Sequence, residues 1–552
     1  MAPPGAQELR HVIVLMLENR SFDHLLGFLD HPSSDLDGIP WPAGFGNPRD
    51  PDDPSKGETG TREQRRLRLR VDPDHSHAAV MEQLGLSRSG AAEPTNDGFV
   101  HSYEQKVTGK GPGAKKAKLA GEIAIAVTAV FGLAAVVALV AAQILLALAA
   151  GAVVLLGLSA RARFVPVVDY FPGDGDRIMW CWSPQAIPAL STLARSFGLC
   201  TRWFCSVPGE TWPNRQFAHA GTSAGTVDIE VRTYSDRTIF EVLEEEGHDW
   251  GIYYDGPAQV LCYPALWNRP ERLARWHPID DLYRDIASGD LPAYSFVEPN
   301  HGFIGRSYSQ HPGNNRRLNT DFRRGDRFVA GVYEALRNNP ALFAKTVLLV
   351  TFDEHGGTFD HVPPPKAVPP DDRREGSFDF TRYGPRVPAI VVSPWIPEAS
   401  IDGRTLDHSS IPATLAAHFA PDADSLGRRA TEAKTFLGLL TARSARTGDD
   451  LPDLSGRLWR ARAARTPVDW LLGWIRVFGR EEPDLHESLA RLSAQVDQAL
   501  PPVTEPGMVS PDAEALAGPL PPPPPTPRRV AGRAMIKLTA AATKARSADS
   551  HG

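Results

Sequence analysis

Two apolar runs of this chain end in acids. Residues 11–17 (HVIVLML) lead into Glu18-Asn19-Arg20-Ser21-Phe22-Asp23-His24, and residues 346–351 (TVLLVT) lead into Phe352-Asp353-Glu354-His355-Gly356-Gly357. Glu18, Asn19, Asp353 and Glu354 together offer three carboxylates and one amide oxygen. Such a set suits a hard or borderline divalent cation: Mg²⁺, Ca²⁺, Mn²⁺ or Zn²⁺. One acid after a strand is commonly a helix cap. Two such ends, each followed by a loop carrying Asp-His (Asp23-His24 and Asp360-His361), call for a chemical reason. A third segment, residues 207–215 (VPGETWPNR), places the Thr211 hydroxyl, the Asn214 amide and the Arg215 guanidinium within a few residues of a Pro/Gly turn. A nearby cation lowers a hydroxyl's pKa and makes it a nucleophile toward phosphorus. A guanidinium is a planar fork matched to phosphate oxygens. Read alone, the segment is a loop ending in a helix cap.

These groups need a frame that brings them together. Short β-branched runs without alternation suit strands buried on both faces, as in a parallel sheet. Residues 388–392 (PAIVV) form a third candidate strand, and residues 327–337 (RFVAGVYEALR) show a helical pattern. Strands alternating with helices predict an α/β fold whose central sheet is mostly parallel with helices on both faces. In open sheets of that kind, ligands sit outside the carboxyl ends of the strands, where the acids lie.

The chain has 552 residues, 42% of them hydrophobic, enough for one large catalytic domain with additions. Its formal charge of -7, from 59 basic and 66 acidic residues, gives no reason to expect nucleic acid as a partner. Cys181, Cys200, Cys205 and Cys262 lack the paired spacing of a zinc ribbon or redox motif. They predict reduced thiols in a cytoplasmic protein. The first residues show no signal-peptide pattern, so no cleaved export signal is expected.

Residues 123–160 contain no charge, and Thr128, Gln143 and Ser159 are their only polar members. About 20 such residues span a bilayer. Lys106, Lys110, Lys115, Lys116 and Lys118 precede the run, and Arg161 and Arg163 follow it. Basic flanks on both sides place both in the cytoplasm. The run is therefore expected to contact a membrane, as a tight transmembrane hairpin or as a kinked hairpin dipping into one leaflet. A long soluble helix is the remaining reading. The expected organisation is a discontinuous catalytic domain at 8–107 and 164–440, the apolar insert at 119–163, a helical extension at 441–500, and a Pro-rich, basic tail at 501–552.

Several blocks occur in a distinctive order: HVIVLMLENRSFDHLLGFL, DPDHSHAAVMEQ with NDGFV, LCTRWFCSVPGETWPNRQFAHAGTSAG, YSFVEPN and TFDEHGGTFDHVPPP. Together they resemble the phosphoesterase family of phosphatidylcholine-type and non-specific phospholipases C and related acid phosphatases, within the alkaline-phosphatase-like superfamily. The resemblance implies that Glu18, Asn19, Asp353 and Glu354 hold the metal, with Thr211 as nucleophile beside it. It implies that His75 and His361 contact phosphate or assist the leaving group, and that His311 works as an acid–base group. Asn214, Arg215 and His355 are implied substrate contacts. At position 310 many relatives carry Asp, and here Gln310 can hydrogen-bond a histidine but cannot charge it. His77 and His219 read as local structure. The implied activity is phospholipase C-type hydrolysis at a membrane through a phosphothreonine. A phosphatase on soluble monoesters and an inactive membrane-tethered scaffold are the alternatives.

Overall fold

The computed structural model of the protein describes residues 3–108 apart from 66, 68 and 70, and residues 174–457 apart from 231, 302–306 and 313–321. Its centre is an eight-stranded sheet. In chain order the strands are β1 (His11–Leu17), β2 (Gly198–Cys200), β3 (Trp250–Tyr254), β4 (Trp276–Pro278), β5 (Tyr294–Glu298), β6 (Thr346–Phe352), β7 (Ala389–Val392) and β8 (Ser400–Asp402). Across the sheet they lie in the order β8-β2-β7-β6-β1-β5-β3-β4. Strand β7 pairs antiparallel with both β6 and β2, while the other pairings are parallel. The fold is thus mixed α/β with a mostly parallel sheet, as the apolar runs predict. The candidate strand at residues 388–392 is present as Ala389–Val392, but it is the reversed one.

Six of the seven residues of β1 and all seven of β6 are buried. Successive strand side chains point to opposite faces, so both faces of the sheet centre are covered. The covering helices used below are α1 (Phe22–Leu26), α2 (His77–Gln83), α3 (Pro188–Ser196), α4 (Thr211–Ala220), α5 (Ile279–Ser288), α6 (Phe322–Arg337) and α7 (Ser410–Phe419). Helix α6 packs on α3 and α5, while α7 packs on α4. The four cysteines are buried and unpaired.

One feature of register positions the site. Strands β1 and β6 run side by side from His11↔Thr346 to Leu17↔Phe352. Glu18 and Asp353 therefore leave neighbouring strands at the same level. Strand β5 flanks β1 on its other side and brings Glu298 to that end of the sheet.

Residues 123–160 lie outside the described residues, and so does the expected membrane hairpin. Among the described residues no helix is long and apolar enough to cross a membrane. Residues 441–457 are short turns packed on the main core through Leu451 and Leu454, not the start of a long helix. The remainder of the expected extension and the Pro-rich tail are outside the described residues.

Candidate active site

The loops after β1 and β6 are stitched together before any ligand enters. The Asn19 backbone N–H donates to Asp353 Oδ1 at 2.9 Å, and the Glu354 N–H donates to the same oxygen at 2.7 Å. Asn19 has φ of 59°, a left-handed conformation that asparagine tolerates better than most residues. Gly356 closes over it so tightly that a Cβ would meet the Asn19 carbonyl oxygen at 2.3 Å. Gly356 therefore serves packing against the first acid loop, and Gly357 serves packing against Pro73 and Asp74.

Thr211 is the first residue of α4. The turn before it is held by Asn214, whose Oδ1 accepts from Val207 N–H and whose Nδ2 donates to the carbonyls of Val207, Gly209 and Glu210. Asn214 thus holds the backbone around Thr211, with both its amide oxygen and its amide nitrogen engaged by the turn. A hydroxyl at a helix N-terminus lies where backbone N–H groups and the helix dipole favour negative charge. Thr211 Oγ1 sits 3.4 Å from Asn19 Oδ1. The Asn19 amide also reaches His75 Nε2 at 3.4 Å, and that nitrogen is 4.0 Å from Glu354 Oε1. The His75 and His311 rings meet edge to face at 5.9 Å. The structure thus assembles Glu18, Asn19, Thr211, Asp353, Glu354, His75 and His311 in one place.

Arg215 is not a phosphate fork. One turn below Thr211 and fully buried, it donates from Nε to Asp353 Oδ2 at 2.9 Å, from Nη1 to Glu298 Oε1 at 3.0 Å, and from Nη2 to the Leu17 carbonyl at 3.3 Å. Each contact ties α4 to the end of a different strand: β6, β5 and β1. His355 is corrected likewise. It is buried, its Nε2 faces Gln83 Oε1 of α2 at 2.8 Å, and its Nδ1 lies 3.3 Å from Glu354 Oε2. It is engaged by Gln83 and Glu354 inside the protein.

His301 belongs to the site and escaped the sequence reading. Its Nδ1 lies 2.7 Å from Glu18 Oε1 and its Nε2 lies 3.0 Å from Glu298 Oε1. A signal existed, since Glu298 is a third strand-end acid and His301 follows it by three residues. Burial would lower the imidazole's pKa, but Glu18 and Glu298 outweigh it and push it up to about 9. Burial pushes Glu18 upward, yet His301, His311 and Arg215 hold it well below the usual carboxylate range. Asp353 goes the other way. Burial raises it, Glu18 and Glu354 add to the rise against the pull of Arg215, and it reaches about 7. His75 rises to about 10 because Glu354, Asp72 and Glu210 overcome its burial. His408 is a further brace. Its Nδ1 accepts from the Trp203 indole at 3.2 Å, which leaves Nε2–H to donate to the Asp353 carbonyl.

His361 lies in a second cluster. Its Nδ1 is 2.7 Å from Asp23 Oδ2, its Nε2 is 3.1 Å from Asp37 Oδ1, and its ring stacks on Phe45. Arg386 closes this cluster by donating to Asp360 Oδ1 at 2.8 Å and Asp23 Oδ1 at 3.0 Å. Ligand atoms of Asp23, Asp360 and His361 lie within 4.8 Å of one another, the spacing of a metal triad.

The fit of a divalent cation can be tested on these two clusters. Both carboxylates of the second share an ion pair with Arg386, and each of their oxygens already has a hydrogen-bond partner. In the first, Glu354 Oε1 is buried and has no hydrogen-bond partner among the described residues. A buried carboxylate oxygen left unmatched costs free energy unless a cation meets it. With Glu18, Asp353, the Asn19 amide and the Thr211 hydroxyl beside it, the first cluster fits a divalent metal better.

The mostly parallel α/β sheet carries acids at its strand ends and a hydroxyl on a helix N-terminus, and the protein's family and relatives make it a phosphoric ester hydrolase. The chain belongs to the Phosphoesterase family, whose model matches residues 9–138 and 159–420. It is 30% identical over 478 residues to non-specific phospholipase C1 of Arabidopsis thaliana, covering 82% of this chain and 76% of that protein. It is 29% identical over 293 residues to the non-hemolytic phospholipase C of Pseudomonas aeruginosa, covering 44% of this chain and 40% of that one. Among solved structures it is similar to the phosphonate monoester hydrolase of Agrobacterium radiobacter, with a TM-score of 0.27 and 14% identity over 46% of this chain and 72% of that chain. Family membership suggests a divalent metal.

Proposed function

We propose that the protein cleaves glycerophospholipids on the glycerol side of the phosphate, through a covalent intermediate on Thr211. The observation that carries this reading is the placement of the Thr211 hydroxyl. It stands at the N-terminus of α4, 3.4 Å from Asn19 Oδ1, beside carboxylates delivered by adjacent strands. Glu18, Asn19, Asp353, Glu354 and Thr211 would hold the metal. Bound there, a divalent cation supplies Lewis acidity that favours the threonine alkoxide and offsets phosphoryl charge.

The chain's own groups do the rest. The α4 N-terminus favours charge on Thr211 Oγ1 and on phosphoryl oxygens approaching it. His75 and His301, held protonated by neighbouring acids, add positive charge around the same point. The Thr211 oxygen attacks phosphorus, the bond to the glycerol oxygen breaks, and His311 supplies that oxygen with a proton. Alkoxides leave poorly without one. Water then hydrolyses the phosphothreonine diester and releases the phosphorylated headgroup alcohol. The relatives named as phospholipases C support the lipid over a soluble monoester. Membrane placement rests on the composition of residues 123–160.

Purified protein given mixed phospholipid vesicles should release diacylglycerol faster than it hydrolyses p-nitrophenyl phosphate. Turnover of the monoester alone would move the assignment to a phosphatase. Elemental analysis finding no bound metal, with neither substrate turned over, would favour the scaffold.

A further inference from the structure

The role of His311 as proton donor raises the question of what holds its ring. Position 310, where a carboxylate is expected, does not do so. Gln310 has φ of 72°, and its Nε2 donates to the Phe322 carbonyl at 3.3 Å. Its side chain lies so close to Gly325 of α6 that a Cβ there would meet Gln310 Cγ at 2.4 Å. Its backbone oxygen accepts from Arg20 Nε at 2.7 Å. The backbone therefore turns this side chain into the start of α6.

A carboxylate reaches His311 from elsewhere. Asp72 Oδ1 lies 3.8 Å from His311 Nδ1, an ion-pair distance that a shift of about 1 Å would turn into a hydrogen bond. That oxygen is shielded from solvent and accepts no hydrogen bond among the described residues. Asp72 is also three residues before His75, whose ring packs against that of His311. Among the described residues, the charged groups facing Asp72 are His311, His75 and Arg20, and it raises the proton affinity of the latter two. Arg20 makes its close contacts elsewhere, to the Gln310 carbonyl and to His24 Nδ1.

A carboxylate on Nδ1 fixes the ring and directs Nε2 outward as the proton donor. We propose that Asp72 is the positioning residue for His311, taking from the loop before α2 the part that position 310 cannot play. The inference rests on the proposed lipid-cleaving reading. In the step concerned, the His311 Nε2–H bond breaks and an O–H bond forms on the glycerol oxygen as its bond to phosphorus breaks. His311 regains the proton from the water that hydrolyses the phosphothreonine, and the threonine oxygen is released in its starting form.

Two substrates that share a phosphocholine group separate this role from a structural one. Short-chain phosphatidylcholine loses an alkoxide, which needs a proton, while p-nitrophenyl phosphocholine loses a phenolate, which does not. D72N should lower kcat on phosphatidylcholine by about 10–100-fold, with KM within about 2-fold and the aryl ester within about 3-fold. H311N should show the same split, and D72N in the H311N background should add little. D72E, which keeps the charge one methylene further out, should recover part of the loss. If D72N does not fold, D72E should show the split in milder form. Equal losses on both substrates, no loss on either, or additive effects with H311N would overturn the role of Asp72. T211A separates the two failures. Full activity in T211A would sink the lipid-cleaving reading itself, whereas an inactive T211A beside an unaffected D72N would remove Asp72 alone.

Discussion

Two buried clusters of acid, histidine and arginine stand after the same pair of strands, and only one has the features of a reaction centre. In the Asp23–Asp360–His361 cluster, Arg386 bridges both acids, and the Thr201 and Asp37 carbonyls take its remaining guanidinium nitrogen. Every carboxylate oxygen of Asp23 and Asp360 has a partner. In the Glu18–Asp353–Glu354 cluster, Arg215 is spent on Asp353 and Glu298, which leaves Glu354 Oε1 with no hydrogen bond among the described residues, His75 Nε2 4.0 Å away and a threonine hydroxyl at hand. Composition does not separate the two. Unfilled acceptors do, because a closed ion-pair network has no free energy to gain from a ligand.

That contrast can be broken first at Thr211. T211A should lower kcat on a phospholipid by about 10⁴–10⁶-fold, the scale of losing a covalent nucleophile, while keeping its fold. Stopped or single-turnover assays of diacylglycerol release would show it. Next, E354Q should weaken divalent metal binding by at least about 10–100-fold, since a direct ligand matters no less than an outer-shell partner. D23N should leave metal affinity as it is. Isothermal titration of the chelator-stripped proteins with Mg²⁺, Ca²⁺, Mn²⁺ and Zn²⁺ compares them, and the opposite ranking would transfer the metal to the second cluster.

R386M should have a different outcome. Leaving Asp23 and Asp360 buried without their guanidinium should cost about 3–5 kcal/mol in chemical denaturation, with bound metal per chain unchanged.

The smallest effect expected is on pH dependence through His361. Burial opposes its protonation, but Asp23 and Asp360 raise its pKa above 6.5. A folded-state pKa above the unfolded one means that this stabilisation is full below pH 6.5 and is lost as pH rises through the folded value. The Tm advantage of wild type over H361Q should therefore be largest in mildly acidic buffer and shrink in alkaline buffer. An advantage that grew with pH would contradict the pairing.

The acid cluster was legible because Glu18, Asp353 and Glu354 closely follow the apolar strands that carry them. What the strands do not reveal is their register, and it is the alignment of Leu17 with Phe352 that makes Glu18 and Asp353 neighbours. Arg215 misled because a guanidinium close in sequence to a threonine in a Pro/Gly turn looks like a phosphate fork. Its true partners, Glu298 and Asp353, are 83 and 138 residues away in sequence. His355 misled for the same reason, since Gln83 is 272 residues from it. The strands at Gly198–Cys200, Trp276–Pro278 and Ser400–Asp402 are three residues each, too short to show a period. Asp72 could not be read as a partner of His311 at all, since only the fold brings the two loops together.

The most direct test of the account is to trap the intermediate. Acid quench of the protein during turnover of a phosphatidylcholine, followed by peptide mass spectrometry, should find phosphocholine esterified to Thr211. A T211A protein should carry no such adduct. An adduct on a histidine, or wild-type turnover by T211A, would contradict the assignment of Thr211 as the nucleophile.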